Sequence, residues 1–104
     1  MEKKGEKGLI KTWKKRWFEL GKGVLLYYLS EPILGEENAR TPKGTIDLKE
    51  VTRVQRCPRA EHKEGYPFSI VTSKRTYYLL AASQNEMVAW TKNLERAVAD
   101  AQRV

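Results

Sequence analysis

Hydrophobic and polar positions alternate at a period of two along most of the chain, then switch to a period near 3.6 at its end. A period of two puts successive side chains on opposite faces of a strand. The run Thr12 to Leu20 is the first long instance. It sets Lys14, Arg16, Phe18 and Leu20 on one face and Trp13, Lys15, Trp17 and Glu19 on the other. The first face opens on two cations and closes on two apolar groups. Unpaired charge is costly to bury, so Phe18 and Leu20 are expected in a core, with Lys14 and Arg16 lining its open end.

The remaining elements follow in order. Residues 1–4 read as a short strand stub, and two glycines bend the chain through 5–11. Gly21-Lys22-Gly23 signals a hairpin, and Val24 to Leu29 returns as a second strand rich in β-formers. Residues 30–42 form a long polar loop carrying Glu36 and Glu37. Short strands are expected at Lys43–Leu48 and Val51–Gln55, then a loop over 56–65. Tyr66–Val71 is the next strand, with Pro67 placing its start at an edge or bulge. Ser73-Lys74-Arg75 turns into a strand at Thr76–Ala81.

At Ser83 the period changes. Ser83 and Glu86 have the spacing of a capping box, in which each side chain satisfies a free amide. Met87, Trp90, Leu94 and Val98, flanked by Thr91 and Ala97, form one apolar stripe. Glu95, Asp100 and Arg103 face away from it. One amphipathic helix to about Gln102 is predicted. The fold class is therefore mainly β: six or seven short strands in a small sandwich or barrel, with one C-terminal helix plugging an open end through Trp90.

Composition narrows the function. A length of 104 residues fits a single domain over 1–104. The formal charge is +7, and residues 1–22 carry +5 of it, so the positive potential is focused near the start. An anionic partner is implied: phospholipid headgroups, nucleic acid or an acidic protein. Cys57 is the only cysteine, which excludes an internal disulfide and suits a reducing, cytoplasmic setting. It lies near Arg56 and Arg59 and reads as a passive thiol. Met1 leads directly into charged residues, so the chain reads as an excerpt of a larger protein. His62 sits in a polar loop without a partner cluster. No nucleophile–base pair, metal-ligand spacing or Gly-rich phosphate loop is present. A non-enzymatic domain without a cofactor is expected.

The ordered set Trp13-Lys14-Lys15-Arg16-Trp17-Phe18-Glu19-Leu20, Leu26-Tyr27-Tyr28, Lys43-Gly44-Thr45-Ile46-Asp47-Leu48, Phe68, Tyr77-Tyr78-Leu79 and the lone helical Trp90 resembles a pleckstrin homology (PH) domain. The resemblance implies a seven-stranded, strongly bent β-sandwich capped at one corner by the helix. At the other end, three loops would form a positive mouth. A subset of the family binds phosphoinositides through a lysine near the end of strand 1 and a basic-x-Arg pair on strand 2. By resemblance, Lys3 falls at the first position and Lys14 and Arg16 at the pair. Tyr27 falls at a phosphate-contacting tyrosine, and Lys43 at a basic residue opening strand 4. The usual apolar strand-1 residues before Lys3 are missing, which leaves the register open between Lys3 and Lys4. Lys74 and Arg75 share the position of the third mouth loop but match no motif.

The residue chemistry suits that reading. Polyphosphorylated inositol needs converging donors that keep their charge; Arg offers a planar fork and Lys a compact point charge. Positions i and i+2 of one strand face one cavity, which accounts for Lys14-x-Arg16. Lys4, Lys7 and Lys11 would sense an anionic membrane surface, and Leu9 and Ile10 at the tip of the 5–11 loop would dip into the headgroup region. The expected function is recruitment of a parent signalling protein to membranes bearing polyphosphoinositides such as PI(3,4,5)P3 or PI(3,4)P2. The isolated domain is expected to be a monomer. The alternative is a protein–protein interaction module with weak, nonspecific lipid binding. Nucleic-acid binding ranks below both, because the cations converge beside core residues rather than on a flat aromatic platform.

Overall fold

The computed structural model describes residues 1–4, 13–31, 33, 41–58 and 65–103. Their strands are β1 (Glu2–Lys4), β2 (Trp13–Lys15), β3 (Trp17–Gly21), β4 (Val24–Tyr28), β5 (Gly44–Asp47), β6 (Val51–Arg56), β7 (Tyr66–Thr72) and β8 (Thr76–Ala81). A 3-10 turn at Leu48–Glu50 joins β5 to β6, and the helix α1 spans Gln84–Gln102. Two antiparallel sheets result, one ordered β2-β1-β8-β7-β6 and the other β3-β4-β5. The architecture is mainly β with one C-terminal helix, as the sequence predicts.

The run Thr12 to Leu20 is not one continuous strand. The strand is broken at Arg16, and its two halves join different sheets. Counted as one bent strand, β2 and β3 bring the total among the described residues to seven. The Arg16 amide still bonds the Met1 carbonyl at 2.9 Å, so the first sheet's ladder reaches the bend itself. The bend lets one run of chain wall both layers of the sandwich.

Alternation then sorts the faces. Phe18 pairs with Tyr27 and is buried, as expected. Leu20 is a correction. It pairs with the fully buried Leu25 but is itself 38% exposed. The physical reason is position: β3 is the outermost strand of its sheet, and Leu20 sits next to the hairpin end. Pro67 is a second correction. Its strand β7 is internal, flanked by β6 and β8. Proline is tolerated there because the β6 ladder ends one residue earlier, at Phe68, and only the Pro67 carbonyl is used on that side, by the Cys57 amide.

The core is formed by Phe18, Leu25, Ile46, Val51, Phe68, Ile70, Leu79 and Ala81 from the sheets and Leu48 from the 3-10 turn, with Met87 and Leu94 from the helix. Full burial of each large aliphatic or aromatic group contributes roughly 1.5–3 kcal/mol. Trp90 reaches in from α1 and meets Phe18 edge-on, with ring centroids 6.3 Å apart. The hairpin between β3 and β4 turns at Gly23, whose φ of 73° a side chain would strain.

Both ends of α1 are fastened. Ser83 Oγ accepts from the Glu86 amide at 3.1 Å, and Glu86 Oε2 accepts from the Ala82 amide at 3.2 Å. The capping box is present, with its carboxylate reaching one residue further upstream than the cap. At the other end, Gln102 Nε2 donates to the Val51 carbonyl at 2.6 Å and lies within 3.3 Å of the Leu48 and Lys49 carbonyls. One amide thus holds the last helical turn over the β5–β6 connection.

Gln102→Ala is expected to cost about 1–2 kcal/mol in urea unfolding, because a partly buried carbonyl loses its donor. Asp100→Ala, which removes an exposed pair with Arg103, should change stability by less than about 0.5 kcal/mol. Equal effects of the two substitutions would show that the Gln102 clasp contributes little.

Candidate functional site

The register of β1 decides which lysine faces inward. Lys3 lies opposite Lys14 on one side and Leu79 on the other. Leu79 in turn lies opposite Phe68, and both are fully buried. Directly opposed residues of an antiparallel pair share a face. Lys3 and Lys14 are therefore on the inner face, and Lys4 is on the outer face. The ambiguity between Lys3 and Lys4 is resolved in favour of Lys3 as the inward residue.

Two aromatic rings hold the Lys3 ammonium. Its Nζ lies 4.9 Å from the centroid of Tyr27 and 5.7 Å from that of Tyr77. Tyr27 comes from the second sheet and Tyr77 from the first, so Lys3 sits where the two layers meet. Cation–π contacts keep the charge while placing it. The Tyr27 ring is itself fixed. It stacks at a tilt on Phe18, with centroids 5.8 Å apart, and lies across Gly44, its partner on β5. A Cβ built on Gly44 would overlap Oη and Cζ of Tyr27. Glycine at 44 is needed for space, not for an unusual backbone angle.

Arg75 is a residue for which the sequence held only a weak signal. Its guanidinium carbon lies 4.1 Å from the Tyr77 centroid, on the ring that also flanks Lys3. Its neighbour Lys74 turns elsewhere and pairs with Glu50 at 3.7 Å. The Thr72 hydroxyl ties the turn that makes this division, donating to the Arg75 carbonyl at 2.7 Å and accepting from its amide at 3.0 Å. The place of Arg75 between two strands is legible in the sequence; that it, and not Lys74, meets the Tyr77 ring depends on this turn.

The other candidates are placed as follows. Lys14 is exposed in the middle of β2. Arg16 is half-buried at the bend, and its Nη1 donates to the Lys15 carbonyl at 2.8 Å. It lines an open cleft of about 880 Å³ with Met1, Trp17, Leu29 and Leu80, apart from the Lys3–Tyr27–Tyr77 group. Lys43 is exposed, and its amide is anchored on the Tyr27 carbonyl at 2.8 Å. Lys7, Leu9, Ile10 and Lys11 lie outside the described residues, as do Glu36, Glu37, Arg59 and His62. Cys57 is half-buried. Among the described residues no group of three His, Cys, Asp or Glu side chains could hold a metal ion, and no helix is long and apolar enough to cross a membrane.

Two like charges face each other directly in Lys3 and Lys14. Such a pair is destabilising on a sheet. With Arg75 close by, the arrangement is a pre-set concentration of positive charge over an aromatic floor. Its chemistry is that of an anion receptor with several donor points.

Known proteins agree with this architecture. Residues 1–99 match the family model for the PH domain. An uncharacterized protein of Drosophila melanogaster is 40% identical over 88 residues, which is 85% of this chain and 4% of that protein. Human Rho GTPase-activating protein 24 is 34% identical over 101 residues, covering 88% of this chain and 13% of that protein. The chain thus spans a small part of the curated relatives it matches. Among solved structures, the PH domain of human TBC1 domain family member 2 superposes with a TM-score of 0.70 at 30% identity, covering 95% of this chain and 76% of that one. By sequence and by fold, the chain belongs to the PH domain family.

Proposed function

We propose that the open end of the sandwich takes the headgroup of a polyphosphoinositide, and that the domain thereby brings its parent protein reversibly from the cytoplasm to the plasma membrane or another membrane bearing that lipid. The observation that carries this reading is the opposed pair Lys3 and Lys14 on the inner face, with Lys3 set between Tyr27 and Tyr77. Lys3 and Lys14 would each meet a phosphate as a point charge. Arg16 would join them from the bend by turning off the Lys15 carbonyl, and would supply the bidentate fork. Tyr27 would offer its hydroxyl, and Lys43 would approach from the start of β5. Arg75 adds a donor from the third loop. Headgroups with adjacent phosphates, as in PI(3,4,5)P3 or PI(3,4)P2, suit several donors spread over two sheets. Lys7 and Lys11 would add nonspecific attraction to the anionic surface, and Leu9 and Ile10 would dip into the headgroup region.

Binding to vesicles carrying single phosphoinositides, at low and at physiological salt, tests the reading. Charge-assisted hydrogen bonds contribute about 1.5–3 kcal/mol each, so Lys14→Ala and Arg16→Ala should each weaken headgroup-dependent binding by roughly tenfold or more. Equal binding to every anionic vesicle, lost steeply with salt, would reduce the site to general electrostatics. A domain that ignores vesicles altogether would point instead to a protein partner.

A second outcome concerns Gly44. Gly44→Ala should push the Tyr27 ring aside and release Lys3, lowering headgroup affinity about as much as Tyr27→Ala does. In the double variant the two losses should not add, because the glycine acts only through the ring. Additive losses, with thermal melts confirming that each variant folds, would mean that Gly44 affects binding by another route.

A further inference from the structure

The second sheet has an inner face in the core and an outer face beyond it. Phe18, Leu25, Tyr27 and Ile46 point inward, so strand alternation turns the residues between them outward. On the middle strand β4 these are Val24, Leu26 and Tyr28, an apolar ridge. Trp17 of β3 lies opposite Tyr28, is 38% exposed and widens the ridge at that end. The main contacts of α1 are with β6, β7, β8 and the 3-10 turn, so the helix does not cover this ridge.

Charge on this sheet has the opposite sign to the chain as a whole. β3, β4 and β5 contain no lysine or arginine, although the protein has 20. The nearest along the chain, Lys22 and Lys43, stand just beyond the strand ends. The charged residues of the three strands are Glu19 and Asp47, and the register sets them on the two sides of the ridge. Glu19 lies opposite Leu26 on β3, and Asp47 lies opposite Val24 on β5. Neutral N–H donors hold both carboxylates: the Trp17 indole donates to Glu19 at 2.8 Å, and the Lys49 amide to Asp47 at 3.0 Å.

Size limits what can lie there. At about 3.3 Å per residue and about 4.8 Å between strands, three strands of this length present a patch roughly 15 Å on a side. A stable protein–protein interface takes about 800 Å² from each partner, several times that patch, so a second copy of the domain is poorly served. One α-helix, about 10–12 Å across, fits it. An apolar ridge with a carboxylate on each side is the complement of a helix whose apolar stripe is flanked by cations.

We propose that the outer face of β3, β4 and β5 docks one amphipathic helix of a protein partner, with its apolar stripe on Val24, Leu26, Tyr28 and Trp17 and its lysines or arginines at Glu19 and Asp47. The proposal does not rest on the headgroup reading, because this face is on the other side of the sheet from the Tyr27 ring that flanks Lys3. General electrostatics would not produce it either. The domain carries a net charge of +7 and repels a basic helix, so attraction has to come from this face.

The test uses two synthetic helices and no lipid, so its outcome is separate from that of the vesicle experiments. One helix, of about 18 residues, carries leucines at i, i+3, i+4 and i+7 with lysines on both flanks; its twin has glutamate in place of lysine. Each is titrated into the isotope-labelled domain and followed by NMR. The lysine helix should shift the amides of residues 24–28 and the indole N–H of Trp17. Leu26→Ser should weaken its binding about tenfold. Glu19→Lys should weaken it by about as much and let the glutamate helix bind in its place. Thermal melts check that each variant folds, and the exchange of preference in Glu19→Lys is a gain that misfolding does not mimic. Absence of binding by the lysine helix at millimolar concentration overturns the proposal, as do shifts centred on another surface and equal binding of the two helices by the unmodified domain. Concentration-dependent shifts of the same amides without peptide, together with a dimer in sedimentation, would assign the face to a second copy and overturn it too.

Discussion

The register of β1 against its two neighbours is the constraint from which the site follows. β1 is only three residues long, and it is held on both sides. Because side chains alternate, a slip of one residue would exchange Lys3 for Lys4 and turn Glu2 or Lys4 inward. The slip is opposed by Leu79 and Phe68, which are in line with Lys3 and fully buried. It is opposed as well by the Arg16–Met1 bond, which extends the ladder to the bend. Apolar burial on β7 and β8 therefore sets where a lysine on β1 points. The charge pattern depends on the hydrophobic pattern through a ladder of backbone bonds.

The second layer fixes that charge in space. Tyr27 belongs to the three-stranded sheet, yet its ring meets Lys3 of the five-stranded one. It reaches because Phe18 supports one side and Gly44 leaves the other open. Trp90 holds Phe18 from the helix. A line of contact runs from α1 through Phe18 and Tyr27 to Lys3. The helix at one corner thus takes part in ordering the opposite end, and the clasp at Gln102 belongs to the same framework.

Much of this was legible in the sequence. The succession of strands along the chain, the helix capped by Ser83 and ending at Gln102, and its apolar stripe of Met87, Trp90, Leu94 and Val98 with Thr91 and Ala97 beside it follow from periodicity, because burial imposes a repeat that survives without knowledge of neighbours. The inward placement of Lys14 and Phe18 follows the same way. What failed was information held by tertiary context. Leu20 obeys the alternation of its strand, but the sheet ends beside it, and no local pattern records which strand lies outermost. Pro67 suggests an edge, yet the strand is internal and the β6 ladder beside it stops two residues short of the strand's start. The division of labour between Lys74 and Arg75 depends on Thr72 closing a turn, and Lys3 could be told from Lys4 only once its partners across the ladder were known.

The opposed lysines also bear on how such a domain tolerates change. Two like charges lie face to face across β1 and β2, which makes the sheet less stable than it could be. Replacing Lys14 by a neutral residue would relieve that repulsion and remove one positive charge from the inner face. Robustness alone would not call for the pair, which holds the stability of this sheet below its attainable maximum.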